Sequence, residues 1–277
     1  MYAQTLLITF ALLTLAPLPA RSQNPSPDEV IFLEKIKNVT GETLSDRTLS
    51  VACSFIGTPY RSGTLEVPGP ECLRVNLRTL DCWTFVECAL AMALCDGSFA
   101  DFEARLLQLR YREGRAEGYG SRIHYFGEWL LHAQDLGILT DLTSTLGGIP
   151  LAKTVNYISA NADRYPEQAR IPAESARIRD AESRLSAAGL HFIPQAAVAR
   201  MQHLLRDGDI VAFASTLQGL DVAHQGFVVW QNGAPHLLHA SSAPARRVIL
   251  TRQSIAEYLA AHPDMSGIMV GRIKHAE

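Results

Sequence analysis

Asp81-Cys82-Trp83-Thr84-Phe85-Val86-Glu87 is the stretch that decides the fold. Apolar and small side chains recur from Cys82 onward at three- and four-residue spacing, which predicts a helix that begins there. Asp81 precedes it as a capping residue, so Cys82 would lie where free backbone N–H groups and the helix dipole stabilise a thiolate. Such a cysteine is either a nucleophile or a small buried hydrophobic residue, and this stretch alone favours neither.

A second informative stretch follows His224, where two apolar runs flank Asn232-Gly233. This dipeptide is the strongest short-range signal for a β-hairpin. With a two-residue turn, Gly226 lies opposite His239. Side chains alternate between faces, so His224 and His239 share one face, whereas His236 points to the other. A loop one residue longer would reverse this assignment.

These residues suggest a catalytic set. Cys82 supplies a nucleophile, His224 a general base, and His239 a third group that orients the base. The alternative for His239 is that it only ends a strand.

Several stretches resemble the DUF1460 family, whose members are N-acetylmuramoyl-L-alanine amidase-like proteins of the NlpC/P60 cysteine peptidase superfamily. The resemblance extends from about residue 49 to residue 273. The stretches are residues 57–60, 63–66, 76–87, 121–126, 208–210, 219–226 and 238–242.

The resemblance implies an α+β fold of the NlpC/P60-like papain type, with the nucleophile helix packed on a small antiparallel β-sheet and extra helices around it. It implies peptidoglycan or muropeptides as substrates and no cofactor. The family's functional positions fall on Cys82, His224 and His239. Tyr60 resembles the tyrosine that the superfamily places beside the nucleophile, whereas Cys72 stands where a polar residue is expected.

A substrate-binding segment is predicted after the Gly-rich loop at 114–121. An arginine, a histidine, a tyrosine and a tryptophan stand close together there, and flat rings with hydrogen-bond donors suit a sugar or muropeptide cleft. Core packing is the alternative for the rings, and we prefer it for Trp129. The predicted substrate-binding residues are Tyr60, Asp81, Arg122, His124 and Tyr125.

The composition fits a single globular enzyme. The chain has 277 residues, 47% of them hydrophobic, with 25 basic against 28 acidic residues, so no nucleic-acid signature is present. Neither a Cys-x-x-Cys nor a His-Glu-x-x-His motif occurs, and we therefore predict no metal site. We expect a monomer.

The amino terminus resembles a secretory signal. Residues 1–22 hold an apolar core followed by prolines and small residues, so we predict a cleaved signal peptide, with an uncleaved anchor as the alternative. Residues 23–277 would then form one catalytic domain with helical insertions. Periplasmic or secreted localisation follows, without a membrane span after cleavage.

Five cysteines are an odd number for an oxidising compartment. If Cys82 stays free, the other four can pair, and Cys53 with Cys72 is the pair we expect because they flank the loop at 57–70. Buried reduced thiols, which for Cys88 and Cys95 would lie on or near one helix, are an equal alternative.

The apolar pattern predicts further elements. We expect helices over 27–49, 49–57, 99–112 and 172–188, a helix that starts near Arg122, a last helix that is capped within 251–254 and ends at 261, and strands over 210–214 and 267–273.

The predicted function is hydrolysis of the N-acetylmuramoyl-L-alanine amide bond through a Cys-His-His site. One alternative is an endopeptidase that cuts between D-Glu and the diamino acid of the stem peptide. A second alternative is an exported muropeptide-binding module without activity.

Overall fold

The structure is a computed structural model that describes residues 24–274. The predicted signal peptide at 1–22 lies outside the described residues. The described chain combines helices with an antiparallel sheet. Among residues 24–274, no helix is both long and apolar enough to cross a bilayer.

Helices and strands are numbered in chain order, and the short 3-10 turns carry no number. The helices are α1 (Pro27–Ile36), α2 (Leu44–Ser54), α3 (Cys82–Leu94), α4 (Phe99–Arg110), α5 (Phe126–Asp135), α6 (Tyr157–Ala160), α7 (Pro172–Ala187), α8 (Gln195–Met201) and α9 (Ile255–Ala260). The strands are β1 (Leu139–Asp141), β2 (Ile149–Pro150), β3 (His191–Pro194), β4 (Ile210–Ser215), β5 (Val222–Gln231), β6 (Ala234–Ser241), β7 (Arg247–Ser254) and β8 (Met265–Ile273).

The strands form one sheet in the order β2-β3-β8-β4-β5-β6-β7, with β1 paired to β8 beside this path. The predicted hairpin is confirmed: Gln231 pairs with Ala234, and the turn residues Asn232 and Gly233 have φ of 52° and 79°. Positive φ at both positions is what a two-residue type I′ turn requires.

The β5–β6 ladder does not run the full length of its strands. It ends where Phe227 faces Leu238, although β5 begins at Val222 and β6 continues to Ser241. Backbone pairing therefore stops at this end of the hairpin, although the strands stay close, since a Cβ on Gly226 would lie 2.6 Å from the Leu238 carbonyl oxygen. The unpaired residues include those that the hairpin register brings to one face.

The two faces of the sheet carry different helices. The Phe227 ring packs edge-on against Phe85 of α3, with ring centroids 5.5 Å apart. On the opposite face, Phe213 packs against Tyr258 of α9 at 5.2 Å. Alternation along β5 therefore directs His224 towards α9 and its neighbour in sequence towards α3.

The start of α3 follows from a local signal that the sequence already shows. The Thr84 N–H donates to the Asp81 carboxylate at 2.8 Å, and the Asp81 N–H donates to the Thr84 hydroxyl at 3.0 Å. This reciprocal capping box fixes Cys82 as the first helical residue, as predicted.

Three predicted helix boundaries need correction. The helix expected over 27–49 is split, because Thr43 caps α2 and Gly41 has a φ of 129°. The helix expected to reach residue 112 ends at Arg110, because Tyr111 turns to extended backbone and bridges Arg122. The same bridge explains why the next helix begins at Phe126 rather than near Arg122.

A buried ion pair joins α3 to α4. The Arg110 Nε donates to Glu87 Oε2 at 2.8 Å, and both side chains are 1% exposed. Arg110 Nη1 also donates to the Arg74 carbonyl at 2.6 Å, which attaches the loop before α3. Neither charge reaches water, so each depends on the other for compensation.

We expect Arg110→Met to lower the free energy of unfolding by about 3–5 kcal/mol, because it leaves the Glu87 carboxylate buried without its partner. Urea unfolding followed by circular dichroism measures this.

The matched control is Arg105→Met, on the same helix, where the pair with Asp101 is 3.4 Å long and both side chains meet solvent. Its change should stay within about 0.5 kcal/mol. Equal effects of the two substitutions would contradict the role assigned to the buried pair.

Candidate active site

Cys82 lies where the first turn of α3 meets the open end of the hairpin. The backbone N–H groups of Gln225, Cys82 and Trp83 surround its sulfur and favour its charged form. The Gln225 side-chain amide also donates to the Cys82 carbonyl, at 3.4 Å. Beyond the end of the β5–β6 ladder, β5 thus contacts the helix start directly.

The pKa of the Cys82 thiol bears on the predicted thiolate. It is raised to about 12, with burial as the largest cause and the Asp81 carboxylate as the second, against the lowering effect of the three N–H groups. Loss of solvent around the sulfur outweighs the helix start, which favours the thiol over the thiolate as the resting form.

His224 and His239 form a side-chain pair across the open end of the hairpin. His224 Nε2 lies 2.5 Å from His239 Nδ1, and the rings are nearly perpendicular at 82°. His236 is elsewhere, since its Nδ1 lies 3.1 Å from the Thr251 and Gln253 carbonyls. The register predicted from the turn therefore separates the histidines correctly.

Both imidazoles are neutral at neutral pH. The pKa of His224 is lowered to about 3, with burial as the largest cause and the charges of His239 and His262 as the next two. Burial also lowers the pKa of His239 to about 4, with His262 as the second cause. A neutral His224 is able to accept a proton, as a general base must.

Tyr60 lies near enough to Cys82 for the charge of the sulfur to influence its hydroxyl. Its backbone N–H donates to the Arg246 carbonyl, and it bridges Leu80 just before the capping box. Burial, followed by the negative charges of Cys82 and Asp81, raises the pKa of the Tyr60 hydroxyl to about 12. That hydroxyl is therefore a proton donor in hydrogen bonds at neutral pH.

A cavity of about 250 Å³ adjoins the start of α3. It brings together three of the predicted substrate-binding residues with carboxylate and aromatic side chains that the sequence analysis did not select. Its lining includes Glu66, Asp81, Trp83, Arg122, His124 and Tyr165.

Arg122 differs from its predicted role as a free cation for substrate. Only 4% of the residue is exposed, and its Nη2 donates to Glu66 Oε1 at 2.8 Å while its Nε lies 3.2 Å from Glu71 Oε1. The Tyr119 hydroxyl donates to the other Glu66 oxygen at 2.8 Å. Arg122 therefore holds the Glu66 carboxylate in the cavity wall.

His124 lines the cavity, but Tyr125 does not. The His124 Nε2 lies 3.0 Å from the Tyr119 carbonyl, and burial lowers its pKa well below the usual value. Tyr125 is 2% exposed, and its hydroxyl donates to Glu182 and accepts from the Ile158 N–H. We correct its prediction, since a hydroxyl satisfied inside the core has no route to substrate. Trp129 is buried, as preferred.

Two residues next to Cys82 and the histidine pair were not selected from the sequence. Gln225 was detectable, because strand alternation places the neighbour of His224 on the side of α3. Tyr258 packs against both His224 and His239, with ring centroids 6.2 and 5.3 Å away. No sequence signal linked it to the hairpin, since only the tertiary fold brings α9 there.

All five cysteines are unpaired in the structure. The expected Cys53–Cys72 pair is absent, and both residues are exposed, whereas Cys88 and Cys95 are buried. Within residues 24–274, no group of histidine, cysteine and acidic residues is arranged to hold a metal ion.

Comparisons with known proteins agree on one family. The family model described as N-acetylmuramoyl-L-alanine amidase-like matches residues 50–268. Among solved structures, an N-acetylmuramoyl-L-alanine amidase from Bacteroides uniformis ATCC 8492 is 32% identical, with a TM-score of 0.79 over 83% of this chain and 99% of that chain.

Two further structures are similar. A putative xylanase from Bacteroides fragilis is 35% identical, with a TM-score of 0.75 over 81% of this chain and 100% of that chain. A Legionella pneumophila str. Philadelphia 1 protein of the DUF1460 family model is 21% identical, with a TM-score of 0.67 over 88% and 94% of the two chains, and shares the fold. No curated protein matches the chain.

We expect alkylation of Cys82 by iodoacetamide to accelerate roughly tenfold per pH unit between about pH 6 and pH 9, because only the thiolate reacts and its raised pKa keeps it scarce. Mass spectrometry of the peptide that contains Cys82 measures the rate.

The exposed Cys72 in the same sample reports the reactivity of the probe itself. A rate that is already constant at about pH 5 to 7 would mean that Cys82 rests as a thiolate beside a protonated histidine, which would contradict the effect of burial on both pKa values.

Proposed function

The chain belongs to the N-acetylmuramoyl-L-alanine amidase-like family, and we propose that it is a cysteine amidase that hydrolyses the N-acetylmuramoyl-L-alanine bond of peptidoglycan or muropeptides. One observation carries the proposal. Gln225, the residue that directly follows His224, donates to the Cys82 carbonyl, and its N–H favours a charged Cys82 sulfur, while His224 is paired with His239. This arrangement supports Cys82 as the nucleophile, His224 as the base and His239 as the orienting group.

We further propose that the fold is of the NlpC/P60 papain type. The support is a cysteine at the first position of α3, a helix packed on an antiparallel sheet whose next strands carry the histidines. Residues 23–277 would form one catalytic domain, which acts as a monomer in the periplasm or after secretion.

The proposed reaction begins with attack on the amide carbonyl. His224 takes the proton of the Cys82 thiol through Nδ1 as the sulfur bonds to carbon. The imidazolium then donates from Nε2 to His239 Nδ1, which stabilises it across 2.5 Å. The Cys82 N–H donates to the oxyanion, with the Tyr60 hydroxyl as a second donor.

The intermediate collapses when His224 returns its proton to the leaving amine, and the carbon–nitrogen bond breaks. Water then attacks the thioester while His224 accepts one of its protons. Release of the carboxylic acid restores the Cys82 thiol.

The choice of bond depends on the cavity beside the nucleophile. Trp83 and Tyr165 offer ring faces, while the Glu66 and Asp81 carboxylates accept hydrogen bonds. Sugar hydroxyls and an acetamido N–H are suitable donors to such a lining. A muramoyl group in this cavity would present its lactyl carbonyl to Cys82.

Endopeptidase activity between D-Glu and the diamino acid is the second candidate. Three carboxylates in and around the cavity, those of Asp81, Glu66 and Glu71, face a single guanidinium, that of Arg122. Excess negative charge would also suit the free amine of a sugar-free stem peptide. In the remaining alternative, an inactive muropeptide-binding module, Cys82, His224 and His239 would take part in no reaction.

We expect purified muropeptides to yield the intact stem peptide with a free L-Ala amine and a sugar that keeps its lactyl carboxylate. Mass spectrometry of the digestion products identifies the bond.

L-Ala-D-Glu left on the sugar would assign the protein as the endopeptidase instead. Equal rates on sugar-free stem peptides and on muropeptides would contradict a sugar-binding cavity. The absence of any product, together with measurable muropeptide binding, would favour the binding module.

We expect His239→Ala to lower kcat by about 10²- to 10⁴-fold, because it removes the group that orients and stabilises the base. Steady-state hydrolysis of muropeptides measures kcat.

His236→Ala is the matched control on the same strand, and it should change kcat by less than about threefold because His236 contacts only backbone carbonyls. In the same way, Cys82→Ala should abolish turnover whereas Cys95→Ala should not. The reverse ranking of either pair would exclude the Cys-His-His assignment.

A further inference from the structure

The ring of Tyr258, in α9, packs near both rings of the histidine pair. It stands at 30° to His224, with centroids 6.2 Å apart, and at 76° to His239, with centroids 5.3 Å apart. His262 packs against it at 4.2 Å and 30°. Tyr258 is itself mostly buried, so its ring is a fixed surface in this cluster.

The hydrogen bond between the imidazoles allows two proton arrangements. In one, His224 Nε2–H donates to His239 Nδ1, and His224 Nδ1 keeps its lone pair. In the other, His239 Nδ1–H donates to His224 Nε2, and the proton of His224 sits on Nδ1. Only the first arrangement leaves a base directed away from the pair.

In the first arrangement, one N–H group of His239 lacks a hydrogen-bond acceptor among residues 24–274. Its second proton must then sit on Nε2, and that atom is buried without a hydrogen-bond partner among the described residues. An unpaired buried N–H is unfavourable, so this arrangement needs an acceptor for it.

We propose that the π face of Tyr258 is the acceptor for His239 Nε2–H, and that Tyr258 is thereby the positioning residue that selects the tautomer in which His224 is a base. A perpendicular ring pair at 5.3 Å is the arrangement in which the edge of one ring faces the other, and an N–H on such an edge interacts with the ring's negative face. His262 is nearly parallel to Tyr258, so it covers one face only.

The surrounding charges agree with a neutral pair whose tautomer is defined. Burial and the neighbouring histidines keep the pKa of both imidazoles low. The charged and titratable groups that influence His224 are His239 on β6, His262 after α9, and Asp264 in the following turn, the last of which opposes the other two.

This inference rests on the proposed role of His224 as the general base, but it has a measurement that needs no substrate. In the full chain with ¹⁵N-labelled histidine, the imidazole ¹H–¹⁵N correlation spectrum shows which ring nitrogen carries the proton. We expect Nε2–H on both His224 and His239. A proton on His224 Nδ1 in the unaltered protein would overturn the proposal without any variant.

Two substitutions at Tyr258 distinguish the effect of its ring from the effect of its hydroxyl. Tyr258→Leu removes the π face, and we expect it to shift the histidine pair to a mixture of tautomers and to lower kcat by about 10²-fold with little change in KM. Tyr258→Phe restores the face, so it should recover the spectrum and most of the rate that Tyr258→Leu loses. An equal loss in both variants would overturn the proposal and assign the function to the hydroxyl.

Phe213→Leu is the control for ring loss around His224: it removes the ring that stacks on His224 at 6.2 Å and also packs on Tyr258 at 5.2 Å, but it keeps the Tyr258 ring to which His239 is proposed to donate. Its spectrum should keep Nε2–H on both histidines, and the same tautomer shift as in Tyr258→Leu would overturn the specific role of Tyr258. If the unaltered protein hydrolyses no muropeptide, the proposed function fails, whereas the spectrum still decides the tautomer.

Discussion

The site depends on one junction, the docking of the first turn of α3 into the end of the hairpin where β5 and β6 stop pairing. A continuous ladder past Phe227 would use the backbone donors of β5 within the sheet. Because pairing with β6 ends there, the Gln225 N–H can favour a charged Cys82 sulfur, and the Gln225 side chain donates to the Cys82 carbonyl. Just beyond the last pair of the ladder, the two histidines meet through their side chains.

Two opposing effects at this junction decide whether Cys82 keeps its proton. The helix start and the N–H groups favour a charged sulfur, whereas burial disfavours charge on both the sulfur and the imidazoles. Burial prevails in the resting protein, so Cys82 keeps its proton and His224 remains neutral. In the proposed reaction, charge separation belongs to the step in which the sulfur bonds to the substrate carbon, where N–H donors would stabilise the oxyanion in a low-dielectric setting.

Features that were predictable from the sequence are those fixed within a few residues. The Asp81 capping box joins residues three positions apart, and the Asn232-Gly233 turn sets the parity that separates His236 from the His224–His239 pair. Which residues distant in the sequence pair with one another was not predictable. Arg122 meets Glu66, 56 residues away, and the Tyr125 hydroxyl meets Glu182, 57 residues away, so residue types that suit a ligand instead hold the cavity wall and the core.

Buried polar groups join the parts of the site to one another. Asp221, just before β5, accepts from the Gly127 N–H at 2.7 Å and so connects the strand of His224 to the start of α5, next to the His124 side of the cavity. The pKa of Asp221 is raised to about 6, mainly by burial, so its ionised carboxylate is less stable in this position than in water. A hydrogen bond weakens steeply as its distance and angle change, so Asp221 constrains the distance between β5, which carries His224, and the start of α5. The relative positions of the histidine pair and the cavity are therefore set by this long-range polar contact as well as by the core beneath it.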